Sequence, residues 1–431
     1  MVKPQSNERK KADAESSGFR VHIEIPRKGL LVLLLVLIIP YFIGAGFFLA
    51  KHDWHSMAGS SSAAVTSEGA TPCNPGPWGK LEYVPIKIET PEEFLSIQSF
   101  ESTDPRWFFG NMNRDAALAT LDHAGLTTGE HSQLANAKWD PAANGIYVTA
   151  PTDLIIALKP TVREAIYTTL GQWQENSSQQ DVFFFPSEDM KTFFDKSGVS
   201  DETVALVKQL SYPHGKLQFF ADLPLVLRNL QTYDDKRRLA KAVSRRSTLL
   251  LKLSVDENSN VDELLKYWAH AGLEKDLRPL FESLTKVPGG ARISLINLLP
   301  PAPSARLYTF AFPSMEPLEH DNCHWTSFNF FKDPPDNAFT NAAMVRKTLE
   351  SDYYPVFTDP RYGDLVFVSR GNGEIIHSSV FIADNIVYTK NGGHYLSPWM
   401  LMRIPDMMDA FSAMYPPQEQ LKVTYYRNKY Y

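Results

Sequence analysis

The sequence predicts an α+β protein in three parts: a membrane anchor, a mixed α/β region, and a last domain in which a helix bearing a cysteine packs on an antiparallel sheet bearing a histidine. Three observations lead to this prediction. Residues 29–50 contain no charged side chain. Residues 73–296 mix helical and extended hydrophobic patterns. In residues 297–431, Cys323 opens a helical pattern, and His377 stands near the start of an extended one.

Composition supports folded cores and argues against one class of partner. Hydrophobic residues make up 43% of the chain and aromatic residues 12%, which is enough for buried cores. The net charge of −6 argues against nucleic acid as a partner, because phosphate binding needs an excess of basic side chains. The basic groups at residues 236–238 and 245–246 are expected to form a solvated helix face. The oligomeric state stays open.

The uncharged stretch at residues 29–50 is long enough to cross a bilayer core of about 30 Å. Many Lys and Arg side chains precede it, and Lys51 alone follows before Lys80. The positive-inside rule therefore places the tail, residues 1–28, in the cytoplasm and the bulk of the chain in the periplasm or outside the cell. We expect a single-pass protein of the inner membrane, with a flexible tether at residues 51–72. A cleaved signal peptide is the alternative.

The mixed region at residues 73–296 has no role that its sequence identifies. Its elements are delimited by hydrophobic period, capping side chains, Gly and Pro. Its predicted strands are residues 81–88, 145–149, 182–185, 216–220 and 248–253, and its predicted helices are one beginning at residue 91 and those at 114–124, 152–170, 200–210, 260–271 and 278–284. The proline-rich run at residues 300–303 cannot lie inside a helix or a central strand. We therefore place the domain boundary between residues 296 and 297.

The last domain is predicted to begin with the helix that carries Cys323. Asn322 supplies a capping side chain, and Trp325, Phe328 and Phe331 recur at helical spacing. Further helices are predicted at residues 338–349 and 405–415, and strands at residues 364–369, 375–382, 386–390 and 421–427. A helix followed by several short strands with tight turns indicates an α+β domain.

A cysteine helix followed by a strand headed by histidine is an arrangement for nucleophilic thiol chemistry. In the first turn of a helix, Cys323 is expected to face unpaired backbone N–H groups, which favour the thiolate over the thiol. Asp321 opposes this effect. His377 is the candidate base. Because the chain has no cysteine and histidine set with zinc spacing, no glycine-rich phosphate loop and no serine nucleophile motif, we expect no metal and no cofactor.

The order of the Cys323 helix, the strand at Gly363-Asp364-Leu365-Val366 and the strand headed by His377 resembles the NlpC-type papain-like cysteine peptidases. The resemblance covers about residues 318–430. The chain departs from the family pattern on both sides of the site, with Asn322-Cys323-His324 in place of Asp-Cys-Ser and His377-Ser378-Ser379 in place of His-Val-Gly.

The resemblance implies a papain-like domain in which Cys323 attacks an amide or ester carbonyl and an acyl-enzyme is hydrolysed. His377 then acts first as general base and later as general acid. A third, orienting polar residue is implied on the next strand. Asn391 is the favoured candidate, and Thr389 and His394 are the alternatives.

The functional hypothesis is a membrane-anchored envelope hydrolase, a peptidase or amidase that acts on a peptide or a peptidoglycan-like substrate. Two alternatives use the same fold: a catalytically inactive module that binds or scaffolds partners, and an acyltransferase with the same thiol and imidazole. A disulfide between Cys73 and Cys323, the only two cysteines, is the simplest reading that removes the nucleophile, since exported proteins keep such bonds.

Overall fold

The computed structural model describes residues 69–186, 190–270, 272–312, 321–415 and 418–430. The described residues belong to one compact unit, Val65–Tyr431. Helices and strands both contribute to it, and every strand pair among the described residues is antiparallel. This arrangement is α+β, as the sequence predicts.

The strands are short, and most end at a Gly, Pro or Asn turn. In chain order they are β1 (Thr71–Pro72), β2 (Lys80–Ile88), β3 (Trp107–Gly110), β4 (Lys138–Ala142), β5 (Gly145–Thr149), β6 (Phe183–Pro186), β7 (Tyr212–His214), β8 (Leu217–Phe220), β9 (Arg246–Val255), β10 (Ala291–Ser294), β11 (Tyr353–Val356), β12 (Leu365–Ser369), β13 (Ile375–Ala383), β14 (Ile386–Lys390), β15 (Trp399–Arg403) and β16 (Lys422–Asn428).

The α-helices are mostly two to three turns long and are often capped by Ser, Thr, Asn or Asp side chains. In chain order they are α1 (Ile97–Ser102), α2 (Arg114–His123), α3 (Thr128–Ala135), α4 (Thr152–Ala157), α5 (Pro160–Leu170), α6 (Ser177–Gln180), α7 (Met190–Phe194), α8 (Asp201–Leu210), α9 (Leu223–Asn229), α10 (Tyr233–Val243), α11 (Val261–Trp268), α12 (Glu274–Leu284), α13 (Pro301–Arg306), α14 (Cys323–Phe328), α15 (Ala342–Asp352) and α16 (Ile404–Ser412). Short 3₁₀ turns lie at Glu92–Phe94, Leu295–Asn297 and Asn337–Thr340.

Four sheets organise the described chain. A four-stranded sheet has the order β1-β2-β9-β10, and a six-stranded sheet has the order β11-β16-β12-β13-β14-β15. Two three-stranded sheets, β3-β5-β4 and β6-β8-β7, lie between β2 and β9 in sequence and share a separate hydrophobic core with α2–α5 and α7–α10. The six-stranded sheet carries His377 and Thr389, and the helix that begins at Cys323 packs on it.

The six-stranded sheet is covered on both faces, and side chains along its strands alternate between the two. One face packs under α14 and joins the core of the four-stranded sheet, through residues such as Phe367, Val380 and Tyr388. The other face packs under α16 in a smaller core that contains Val368, Phe381, Val387, Met407 and Phe411. Because successive strand residues point to opposite faces, a shift of one position moves a side chain from one core to the other.

The predicted strand with the Gly-Asp pair is present, and the structure shows why it needs those two residues. Gly363 has a φ of 91°, and a Cβ at this position would lie 2.3 Å from the Phe331 ring. Asp364 is buried and accepts hydrogen bonds from the Arg427 guanidinium of β16 at 2.7 and 2.9 Å. The pair therefore supports the packing of β12, and neither residue contacts a reacting group.

One core joins the four-stranded and six-stranded sheets. It contains Leu81, Leu251 and Leu253 from the first sheet, and Phe367 and Leu401 from the second. The predicted domain boundary between residues 296 and 297 falls between Leu295 and Leu298, which both belong to this core. A polar contact also joins the two sheets: the buried Thr248 hydroxyl of β9 donates to the Leu401 carbonyl of β15 at 2.9 Å and accepts from its N–H at 3.0 Å.

The membrane-anchored part of the predicted fold class is corrected by the structure. Within the described ranges, no helix is both long and apolar enough to cross a membrane. The segment to which the sequence assigned the span, residues 29–50, lies outside those ranges, as do the predicted tail and most of the predicted tether. The inner-membrane location depends on the same segment and stays a prediction.

The contact between Thr248 and Leu401 can be tested with two variants. Thr248→Val keeps the shape of the side chain but leaves two buried backbone groups of Leu401 unpaired, so we expect a loss of about 1–3 kcal/mol in the free energy of unfolding. Thr248→Ser keeps the hydroxyl and serves as the matched control. Urea unfolding measures the free energy of unfolding of both variants, provided that its dependence on urea concentration has the same slope as in the wild type. Equal midpoints for the two variants would show that this contact does not join the sheets.

Candidate thiol site

Cys323 is the first residue of α14, and the sequence around it explains why the helix begins there. The Asn322 side chain caps the helix by accepting a hydrogen bond from the Trp325 N–H at 2.8 Å. The helix packs on β13 and β14, which leaves Cys323 only 8% exposed. Backbone N–H groups of Ser378 and His324 hydrogen-bond its sulfur, but burial outweighs them and raises the pKa of the thiol.

His377 lies on the opposite face of the six-stranded sheet from Cys323. Its ring packs against Phe411 of α16 with centroids 4.4 Å apart, and Ser379, two residues further along β13, contacts Met407 of the same helix. Ser378, between them, points toward α14 instead. The Ser378 hydroxyl lies 2.7 Å from His324 Nδ1.

The predicted pairing of Cys323 with His377 is therefore corrected: the structure does not bring the two side chains together. The physical reason is the period of two along β13, which sends His377 and Ser378 to different cores. The register between β12 and β13 also shifts next to His377: Val368 pairs with His377, whereas the next residue, Ser369, pairs with Ile375 and skips Ile376. Sequence order alone does not specify which of two neighbouring residues faces the helix.

The candidates for the third residue divide between the two faces. His377 Nε2 lies 2.9 Å from the Thr389 hydroxyl, which donates to Asn391 Oδ1 at 3.0 Å. Because that hydroxyl has one proton to give, Nε2 acts as the donor to Thr389. Thr389 and Asn391 thus belong to one chain with His377, on the side away from Cys323. The carbonyl of His394 lies on the other side and accepts a hydrogen bond from Lys390.

His377 is held as a neutral ring. It is 1% exposed, and burial lowers its pKa to about 3, with a further decrease from the charge on His324. The buried imidazole does not face solvent and donates to the Thr389 hydroxyl. We conclude that its contribution is to packing under α16.

Lys390 is the residue that sequence reasoning missed. It ends β14 on the same face as Tyr388, toward α14, and is fully buried. Its ammonium donates to the carbonyls of Gly392 at 3.0 Å and His394 at 3.1 Å, and lies 5.5 Å from the centre of the Trp399 ring. Burial lowers its pKa to about 8, while the charges of Asp321 and Cys323 act in the opposite direction.

Lys390 is an unusual buried cation because, within the described part of the chain, its ammonium hydrogen-bonds carbonyls and no carboxylate, although the charge of Asp321 acts on it. Buried lysines without such a partner are rare, and a perturbed pKa beside a nucleophile is typical of functional sites. The sequence does contain one indication of this position: along the strand Tyr388-Thr389-Lys390, the lysine shares the face of Tyr388, which packs toward α14.

The disulfide alternative is not formed, since both cysteines are free. Cys73 lies near the β13–β14 turn, where its neighbour Asn74 hydrogen-bonds Asp384. Cys323 lies at the other end of the same hairpin, beside Ser378. Burial and the Asp384 charge raise the pKa of Cys73 to about 12, so it is a poor nucleophile.

Comparisons with protein-family models, with curated proteins and with solved structures return no match for this chain. The resemblance to the NlpC-type peptidases therefore stays a prediction from three short segments. The function must be argued from the site itself.

The neutral state of His377 leads to a prediction about acid stability. Its pKa in the fold is about 3, below the ordinary value of about 6.5, so the unfolded chain takes up a proton that the fold excludes. Between about pH 6 and pH 4, this one group should lower the free energy of unfolding by about 1.4 kcal/mol per pH unit. His377→Gln keeps an N–H donor but does not titrate, so its acid limb should be shallower.

The measurement is urea unfolding of the wild type and His377→Gln across that pH range, with the exposed His123→Gln as control. The control should follow the wild type. Parallel acid limbs for all three proteins would show that His377 is protonated in the fold.

Proposed function

We propose that this chain performs thiol-dependent chemistry on amides or esters, with Cys323 as the nucleophile and Lys390 in the role that the sequence assigned to His377. One observation carries the proposal: the buried amine of Lys390 and the thiol of Cys323 lie on the same face of the sheet and influence each other electrostatically. Lys390 is on β14, and the sulfur is hydrogen-bonded by the N–H of Ser378 on the adjacent strand β13.

The lowered pKa of Lys390 and its electrostatic effect on Cys323 support a proton transfer from sulfur to nitrogen. With a pKa of about 8, Lys390 is partly uncharged at mildly alkaline pH and can accept the thiol proton. The ammonium that results then stabilises the thiolate, which burial alone disfavours. Attack of the thiolate on a carbonyl forms an S–C bond and breaks the C–N or C–O bond, and the leaving group takes the proton back from Lys390.

The thioester formed on Cys323 has two fates. Water attack gives hydrolysis, and attack by an amine or alcohol gives acyl transfer; both belong to the reaction class proposed here. The substrate class is an amide or ester, and a peptide or a peptidoglycan-like substrate remains the specific proposal that the NlpC resemblance supports. The chain's net charge of −6 favours a substrate other than nucleic acid.

A second candidate function is a binding module that performs no chemistry. It is favoured by the low exposure of Cys323, 8%, and by the raised pKa of its thiol. In that case, Lys390 and Cys323 would be a structural pair, and the sulfur would react slowly whatever occupies position 390. The experiments below separate the two functions.

The first experiment measures alkylation of Cys323 by iodoacetamide near neutral pH in a Cys73→Ser background. Lys390→Met removes the cation beside the sulfur. A rise of about one unit in the thiol pKa would lower the thiolate fraction, and hence the rate, about tenfold. His377→Gln should leave the rate unchanged.

Lys422→Met, at an exposed lysine of β16, is the matched control. The pairing with Lys390 fails if Lys390→Met and Lys422→Met react at the same rate. A slower rate in His377→Gln would instead restore the imidazole as the base.

The second experiment follows p-nitrophenyl acetate in the same background. We expect a burst of p-nitrophenolate and an acetyl group on Cys323 that hydroxylamine removes, because a thioester forms before it is hydrolysed. The acylation rate should rise with pH through about 8 as Lys390 loses its proton. Cys323→Ser and Lys390→Met should lose the burst. A folded protein that never acquires the acetyl group would favour the binding module.

A further inference from the structure

Lys390 offers a side-chain amine that can attack an oxidised Cys323 sulfur, in addition to the backbone N–H groups that hydrogen-bond this sulfur. A cysteine oxidised to sulfenic acid is normally resolved by a second thiol or by a nitrogen. The other thiol, Cys73, lies beside the turn that follows Ala383, whereas Cys323 contacts Ser378. The five-residue step along the strand from Ser378 to Ala383, at about 3.3 Å per residue, separates these points by roughly 16 Å, so Cys73 cannot reach the sulfur.

Lys390 ends the strand β14, on which the helix that begins at Cys323 packs, and its amine is close enough to feel the charge of the sulfur. The carbonyls of Gly392 and His394 accept hydrogen bonds from its ammonium and fix the end of the side chain. The same loop lies close to the start of α14, because a Cβ built at Gly393 would be 3.8 Å from the Cβ of the capping Asn322. The two reacting groups are therefore positioned by neighbouring strands and by the start of one helix that packs on both strands.

We propose that Cys323 and Lys390 form a covalent sulfur–nitrogen bond when the thiol is oxidised by a peroxide. In the first step, the sulfur takes one oxygen from hydrogen peroxide and releases water, which gives the sulfenic acid. In the second step, the Lys390 amine attacks that sulfur, an S–N bond forms, the S–O bond breaks and a second water leaves. The product is a sulfenamide, and two electrons have passed from the thiol and amine to the peroxide.

The crosslink would protect the thiol from irreversible oxidation and would also block its use as a nucleophile. A thiol reductant restores both side chains by cleaving the S–N bond. This inference uses the same Cys–Lys juxtaposition as the proposed function, but it does not require catalysis. A protein that forms the bond and hydrolyses nothing would support the inference and contradict the proposed function.

The test uses the full chain with Cys73→Ser and hydrogen peroxide at mildly alkaline pH, followed by mass spectrometry. The expected result is a loss of about 2 Da, reversed by dithiothreitol, which is the balance of the two steps above. Tryptic digestion should give one linked pair of peptides containing Cys323 and Lys390, without cleavage after Lys390. Lys390→Met should instead gain oxygen atoms on Cys323 and react with dimedone.

Lys422→Met is the control and should behave like the parent protein. The inference is overturned if dimedone labels Cys323 equally in the parent and Lys390→Met, because the amine then does not resolve the sulfenic acid. A link between the same two residues that retains an oxygen atom would also overturn the direct S–N bond.

Discussion

The alternation of side chains along β13 is the constraint on which the site depends. Ser378 points to α14 and His377 points to α16, because a strand gives its two faces to consecutive residues. Both faces are buried, so a shift of β13 by one residue would move the polar side chains of His377 and Ser378 each into the other core. The thiol therefore has a serine N–H and a lysine amine as neighbours, and the imidazole has a threonine hydroxyl and a phenylalanine ring.

Much of the last domain could be predicted from local pattern. The strand predicted at residues 386–390 has the observed bounds, the one predicted at 375–382 ends one residue before β13 does, and the one predicted at 421–427 begins and ends one residue before β16. Period-two hydrophobic runs bounded by turn residues carry this information locally. The strands β11 and β15 were not predicted, because Pro355 weakens the first pattern and the second is a continuous apolar run without the alternation of a strand.

The composition of the site could not be predicted in the same way. Cys323 was found because its helix pattern and cap are local features. The face of β13 that meets the helix depends on the pairing irregularity at Ser369 and on the packing of α16, which are tertiary features. Lys390 was overlooked because a lysine at a strand end is normally solvated. The burial of Lys390 depends on Trp399 and on the loop that follows Lys390. Neither belongs to a sequence motif that would have indicated a buried lysine.

The hydrogen bonds between Thr248 and Leu401 have a consequence for how the gene can be divided. β15 is the last strand of the six-stranded sheet, and β9 covers it. A fragment expressed from residue 297 onward would lack β9, and with it the leucines that close the shared core. It would expose an apolar face beside an uncovered strand, a combination that promotes self-association. Recombinant work on the cysteine site should therefore retain the preceding region.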